Sequence, residues 1–496
     1  MKISKLLLIA FFTLSIFGSC KKDFLTTSSS TAVPSSVPLS SVQNAYTALN
    51  GIHRIMYTQY DVQGQAGEGS INIFRDLMGE DIVYPRASGS TGLVTWLQWI
   101  AHRNVNGADL RFVYRFYYRI ISNANVLING IDNVVGGDDA DKKIIKGQAL
   151  AYRAWAHFQL VQLWGKRYDV ATKPNTQLGV PILLTNTLEG QPRATVEDVY
   201  TQVNKDLDAA VLLLAGYVRT GSAPKSNLNV SVVRGIKARV ALAQQNWDLA
   251  ATEAAAARTG FTLMNNAEVL SGFNNATNQE WIWGSTQISD HNTFFFSYFA
   301  YISANFNSTV IRTQPRAINA KLWTAIPTTD IRKQLWDLTG ATVPVPPGGA
   351  RVAYQNKKFL ATSSSQSTGD VPYMRAAEMY LIEAEARARQ GGQEAAARTA
   401  LNTLLANRNP TGAPTTATGQ ALIDQILFNR RIELWGEGFR FTDLKRLDLP
   451  MDRTGIPNRV LALDLVVTIP AGDIQWQFLF PQDELNANLT IIQNPL

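Results

Sequence analysis

Residues 370–389 read Asp-Val-Pro-Tyr-Met-Arg-Ala-Ala-Glu-Met-Tyr-Leu-Ile-Glu-Ala-Glu-Ala-Arg-Ala-Arg, and the rest of the chain is organised around this stretch. Asp370 suits a helix cap and Pro372 a first turn, while Tyr373, Ala376, Ala377, Tyr380, Leu381, Ala384 and Ala388 recur at helical spacing on one face. The spacing predicts a capped amphipathic helix whose alanine-rich face lets a neighbour approach closely. Gly391-Gly392 ends it, and a second helix is predicted from Gln393 to about Asn407. Two helices joined by a short turn, with small residues at the seam, form the unit of tetratricopeptide-type repeats.

The same rhythm recurs upstream. Helices are predicted over Val42–Tyr57, Leu110–Ile128, Lys142–Trp164 and Val196–Leu214, the last capped by Thr195 with Asp198 at the capping-box position. A further hairpin starts at Ser231 with Gly235, Ala238 and Ala241 at its seam and Trp247-x-x-Ala250 in its second helix. Ala421–Glu437 makes one more helix, and Glu280-Trp281-Ile282-Trp283 reads as a short strand. The expected fold is mostly α, tetratricopeptide-like helical hairpins with long loops and a few short strands. The helical scaffold is assigned to 42–60, 107–258 and 371–447, and ligand- or partner-facing loops to 61–106, 260–369 and 448–496.

With 496 residues, 46% hydrophobic and 17% charged, the chain has material for a large core. Its formal charge of +7 falls to +5 without Lys2 and Lys5 and is scattered, so no nucleic-acid partner is expected. Residues 1–19 carry two lysines, an apolar run from Leu6 to Phe17, then Gly18 and Ser19 before Cys20, the chain's one cysteine. That order resembles a bacterial lipoprotein signal, with Cys20 the lipidated first residue of the mature protein. Residues 20–41, rich in Ser, Thr, Val and Pro after Leu25, are expected to tether the body that begins at Val42.

Catalytic motifs are missing from the sequence. It has no His-Glu-x-x-His, Walker loop or Gly-x-Ser-x-Gly elbow, and His53, His102, His157 and His291 are too dispersed for a metal site. Glu80-Asp81 is the most suggestive acidic pair, yet adjacent side chains point apart and would not flank one glycosidic bond. Glu433 and Glu437, beside Arg430 and Arg431, read as ion pairing. No catalytic residue is expected, and no cofactor; structural calcium has no supporting motif.

Aromatics are the chain's other resource. A sugar ring presents an apolar face and a rim of hydroxyls, so its capture needs flat platforms with polar groups at their edges. Trp96, Trp99 and Tyr84, with Arg86 nearby, lie in a Gly-, Ser- and Asn-rich region; Tyr298, Tyr301 and Trp323 lie in a second irregular region. These seven are the candidate ligand-binding residues, and Trp96→Ala is expected to weaken binding while sparing the fold. Trp155, Trp164, Trp247 and Trp435 fall inside helical patterns and read as core.

Five blocks in order resemble the SusD/RagB family of bacterial surface nutrient-binding lipoproteins. They are Ala149–Gly165 with Leu163-Trp164-Gly165, Pro192–Leu214, Asp370–Ala386, Arg430-Arg431-Ile432-Glu433-Leu434 through Leu444-Lys445-Arg446, and the ending Pro481-Gln482-x-Glu484 with Gln493-Asn494-Pro495. The resemblance implies a non-enzymatic outer-membrane protein, lipid-anchored and facing the exterior. It would capture an oligosaccharide and deliver it to a SusC-like TonB-dependent transporter. A peptide-binding member of RagB type is the alternative, and a surface glycan hydrolase a more distant one. The segments between blocks follow no family pattern, and ligand choice would lie there.

Overall fold

Helices form where a capping side chain meets an apolar period, and most of the predicted ones do. In the computed structural model, which describes residues 39–87, 89, 92–221, 224–287 and 297–496, α1 spans Val42–Ile55, with Ser41 accepting from Asn44 N at 3.1 Å. The proposed signal, Cys20, most of the tether, and His291 lie outside the described residues. α2 follows at Gly67–Leu77, α3 at Ala108–Gly130, α4 at Asp139–Trp164 and α5 at Val196–Leu213, where Thr195 accepts from Asp198 N as expected. α6 (Val230–Ala243) and α7 (Trp247–Ala257) form one hairpin, α8 (Ala376–Arg389) and α9 (Glu394–Arg408) another. α10 (Gly419–Glu433) and the short α11 (Arg440–Arg446) complete the helical set used below.

Neighbours in sequence pack as neighbours in space: α3 on α4, α4 on α5, α6 on α7, and α8 on both α7 and α9. The small-residue seams do what their composition suggests. A Cβ on Gly235 would lie 2.1 Å from Met374 Sδ, so only glycine lets α6 come this close. Ala377, Leu381 and Ala384 of α8, Ala397 and Leu401 of α9, and Leu422 and Ile426 of α10 form a small second core beside the main one.

Two expectations are corrected. The first half of the organising stretch is a strand: β6 (Val371–Arg375) pairs antiparallel with β2 (Trp281–Ser285), and α8 begins only at Ala376. Asp370 caps no helix; its carboxylate accepts from Ala276 N at 2.7 Å and Gln287 N at 2.8 Å, closing the loops that flank the β-pair. The segment 61–106 is likewise not all loop. Every residue of α2 is buried, polar Glu68, Asn72, Arg75 and Asp76 included, so a stretch that reads as Gly-, Ser- and Asn-rich loop is a core helix.

The remaining strands are short. β1 (Ile82–Val83), β3 (Ala317–Ile318), β5 (Gln355–Asn356) and β4 (Trp336–Asp337) lie side by side in that order, antiparallel at each contact, with Ile82 opposite Ile318 and Trp336 opposite Asn356. β7 (Met451–Asp452) pairs with β8 (Thr468–Ile469). No helix among the described residues is long and apolar enough to cross a membrane.

Candidate functional site

Five of the seven predicted ligand-binding residues are core. Trp96 has no exposed surface and stacks on Phe74 with centroids 4.4 Å apart and planes 9° from parallel. Trp99 gives its indole N–H to Met78 O at 3.0 Å and meets Trp476 edge-on at 4.9 Å. Tyr84 donates to Gly92 O at 2.6 Å beneath the Arg316 guanidinium, and Tyr298 donates to Gly436 O at 2.7 Å. Tyr301 is buried too. These rings have no face to offer a ligand: the irregular segments that carry them fold back onto α2 and the small sheet, and the aromatics are what hold them there.

Arg86 and Trp323 keep surface. The Arg86 carbonyl accepts from Gln314 Nε2 at 2.7 Å, which ties the segment after β1 to the segment before β3. Trp323 sits on a single helical turn, Ala320–Ala325, started by Asn319, whose side chain accepts from Lys321 N. Its indole N–H reaches Lys333 O at 3.2 Å, and the Lys333 ammonium lies 4.2 Å from its ring centroid. That ammonium is held by Ile326 O at 2.6 Å and Trp323 O at 3.2 Å, so the indole is fixed from one side.

Tyr354, which the sequence reading missed, stands 5.4 Å from Trp323 at 67°. It immediately precedes β5 and has φ of +60°, a left-handed conformation that costs a bulky residue roughly 1–2 kcal/mol. Nothing in its neighbours Val352-Ala353 and Gln355-Asn356 signals that conformation. Both rings are half-buried, and Lys321, Thr324 and Arg351, near them in sequence, are exposed. The chain thus presents two half-exposed rings packed against each other beside the small sheet, an apolar surface suited to the C–H face of a sugar.

A groove of about 620 Å³ runs elsewhere, along α3 between residues 181–191 and 481–488. Arg111, Arg115 and Arg119 line it at four-residue spacing; the first two reach Asp483 at 3.2 and 2.9 Å, and Arg119 lies 5.5 Å from the Tyr60 ring centroid. Asp61, Glu189 and Glu484 line it as well, so its field is mixed rather than cationic.

The acidic residues singled out in the sequence are structural. Glu80 and Asp81 are both buried and both pair with Arg431 and Arg440 of α10 and α11. Deeper still, Arg375 contacts Glu280 at 2.5 Å, Glu433 at 2.9 Å and Glu437 at 2.7 Å, while Arg408 reaches Glu280 and Glu433 at 2.8 and 3.1 Å. Lys358 joins Glu437, and Arg332 joins Asp330 and Glu433, so four cations face four carboxylates with almost no solvent between them. Burial alone would raise the Glu433 carboxyl, but the guanidiniums of Arg408, Arg375 and Arg332 hold it well below the usual range. Charges this completely paired are not poised for proton transfer. No cluster of His, Cys, Asp and Glu among the described residues is arranged to hold a metal ion.

With this geometry in hand, the comparisons with known proteins are specific. Residues 336–496 match the model of the SusD family, and residues 65–242 match a model described as starch-binding associating with outer membrane. SusD-like protein P25 of Formosa agariphila is 23% identical over 292 residues, 57% of this chain and 51% of that protein; the chain spans about half the length of the relative it matches. The crystal structure of a SusD-like carbohydrate binding protein from Bacteroides vulgatus is 27% identical with a TM-score of 0.78, covering 91% of this chain and 97% of that one. A SusD superfamily protein from Bacteroides thetaiotaomicron has a TM-score of 0.77 at 22% identity over 92% and 100% of the two chains, and surface glycan-binding protein A from Bacteroides fluxus has 0.69 at 18% over 91% and 99%. The two family matches fall on separate parts of the chain, the solved structures reproduce its helical hairpins nearly end to end, and the chain belongs to the SusD/RagB family.

Proposed function

We propose that the protein is a non-catalytic surface lipoprotein of the bacterial outer membrane, which captures an oligosaccharide and passes it to a SusC-like TonB-dependent transporter. Cys20 would carry the lipid, and no cofactor is required. The family and the carbohydrate- and glycan-binding descriptions of its structural neighbours support the reading. The observation within this chain that carries it is the Trp323–Tyr354 pair, two half-exposed rings packed against each other beside the central strands of the small sheet.

Isothermal titration of the purified protein against a panel of neutral and acidic oligosaccharides tests it. At least one should bind, and Trp323→Ala should weaken that binding about tenfold or more, the loss of roughly 1.4 kcal/mol or more of stacking. Undiminished affinity in Trp323→Ala would move the site elsewhere, and binding of peptides alone would favour the RagB-type alternative. Appearance of cleaved products on long incubation would sink the non-catalytic reading. Co-purification of a large β-barrel from native membranes tests the partner, and loss of lipid labelling in Cys20→Ser tests the anchor.

A further inference from the structure

The turn of the α6–α7 hairpin carries a second concavity, of about 470 Å³, remote in sequence from the small sheet. Its chemistry is distinctive. Two aromatics, Trp247 and Tyr168, meet five carboxamides: Asn204, Gln244, Gln245, Asn246 and Gln390. Lys173 and Asp248 contribute one charge of each sign, so the pocket has no net field with which to select an ion.

Trp247 was expected to be core from its place in a helical pattern, but it stands at the first position of α7 and is half-exposed. The Arg389 guanidinium lies 5.3 Å from its ring centroid and is itself held by Glu385 at 3.0 Å, so the indole is fixed without being enclosed. Tyr168 is buried up to its rim, with its hydroxyl on Glu197 at 3.1 Å. Asn204 Nδ2 donates to Gln244 Oε1 at 2.9 Å, orienting the two amides against each other. Gln390 Oε1 is buried without a hydrogen-bond partner among the described residues, an acceptor whose desolvation is uncompensated. Gln245 has φ of +59° at the end of α6, where glycine or asparagine would be free of strain. A glutamine kept at that position puts one more donor–acceptor amide at the mouth of the pocket.

We propose that this pocket is a second carbohydrate subsite, independent of the Trp323–Tyr354 surface, and that it takes one or two neutral sugar rings. Each sugar hydroxyl is both donor and acceptor, and a carboxamide offers one of each side by side, so adjacent hydroxyls are matched without any formal charge. The indole supplies the surface for the C–H face of the ring. The volume falls within the range of small-ligand pockets. Two subsites on one chain would let a polymer be held at two points, raising avidity by the effective concentration of the second point and not by a tighter first contact. The inference rests on the reading of the protein as a carbohydrate binder.

The full-length protein, labelled with 5-fluorotryptophan, reports on both subsites in one fluorine spectrum of its eleven tryptophans. Trp247→Phe and Trp323→Phe assign the two resonances. The probes are the methyl glycosides of glucose, galactose, mannose and xylose, with maltose and cellobiose. The Trp247 resonance should move saturably with at least one probe, in the wild type and equally in Tyr354→Ala. Asn204→Ala and Gln244→Ala should each weaken that response about tenfold with an unchanged melting temperature. A Trp247 resonance that stays still while that of Trp323 moves overturns the second subsite and leaves the proposed function standing. If neither moves with any probe, both readings fall together. Unchanged affinity in both amide variants overturns the recognition described here.

Discussion

Mild acid should destabilise this protein through its histidines, and the size of the effect follows from where they sit. His53, His102 and His157 are buried, and burial pushes their imidazoles down to about 4, about 3 and about 3. His157 illustrates the cause: Nδ1 lies 3.0 Å from Arg153 O, while Nε2 accepts from Leu183 N at 3.3 Å, a pairing that only the neutral ring can make. A folded-state value below the unfolded one means that stability is fully present above the unfolded pKa and is lost as pH falls below it, because the unfolded chain takes up protons that the fold refuses. With an unfolded value near 6.5, going from pH 7 to 5.5 costs a little over 1 kcal/mol per histidine, about 4 kcal/mol for the three.

Asp76 works in the opposite direction. Burial raises it to about 7 against the hydrogen bonds from Arg440 N and Gly438 N, so the fold gains a proton over the same interval and recovers about 2 kcal/mol. These four groups together are expected to cost about 2 kcal/mol, to be read from urea unfolding followed by tryptophan fluorescence at the two pH values. Replacing any one of the three histidines by Asn should reduce the pH-dependent loss by about 1 kcal/mol, whatever the variant costs at pH 7, since that cost cancels in the difference. Stability that is flat or higher at pH 5.5 in Asp76→Asn, where the offset is gone, would refute the reasoning.

Other perturbations separate scaffold from surface. Arg375→Met leaves Glu280, Glu433 and Glu437 buried without their shared cation and should cost about 3–5 kcal/mol in thermal or chemical melts. Trp96→Ala removes the partner of Phe74 and should cost about 3–5 kcal/mol, with unchanged ligand affinity in the folded protein, the reverse of what its loop-like sequence suggested. Gly438→Ala, at φ of +88° and with a Cβ 2.5 Å from Asn72 Oδ1, should lose about 1–3 kcal/mol by denaturant titration. Arg111→Ala with Arg115→Ala, by contrast, breaks only exposed pairs to Asp483 and should change stability by under about 1 kcal/mol.

The hairpins were legible because their small and apolar residues recur at helical spacing and their turns carry Gly or Asn, signals that act locally even where, as in α8, most of the helix is buried. Thr195 with Asp198 and the strand at Trp281 were legible for a similar reason, since cap and β-branched or aromatic runs act locally. α2 was not legible because its short apolar stripe, Ile71, Phe74 and Leu77, is interleaved with glycines and charged residues that read as loop, although these too are buried. Trp96, Trp99 and Tyr84 were misread because a Gly- and Ser-rich segment resembles solvent-facing chain, although here Trp96 packs on Phe74 of α2, Trp99 on Trp476 near the C-terminus, and Tyr84 pins the segment to itself through Gly92 O. Trp247 erred the other way. A helix's first residue lies at its end, where a ring in register with the core can still project past it.

The strand-to-helix switch at Arg375 follows from the buried charges. Arg375 pairs with Trp281 in the β2–β6 register, and its guanidinium must enter the pocket where Glu280, just before β2, Glu433, the last residue of α10, and Glu437, just after it, converge. A one-residue slip of β6 would turn that side chain to the opposite face and leave Glu280, Glu433 and Glu437 in the core without the cation they share. Had the helix begun at Asp370 as its capping residue suggests, Arg375 would lie more than a full turn inside it and could not pair with β2 at all. A cluster of four cations and four carboxylates contributes little net stability over an apolar equivalent, but it penalises every alternative register heavily. The charges therefore specify where α8 starts, and through α8 the positions of α7 and α9, which set where Arg389 meets Trp247.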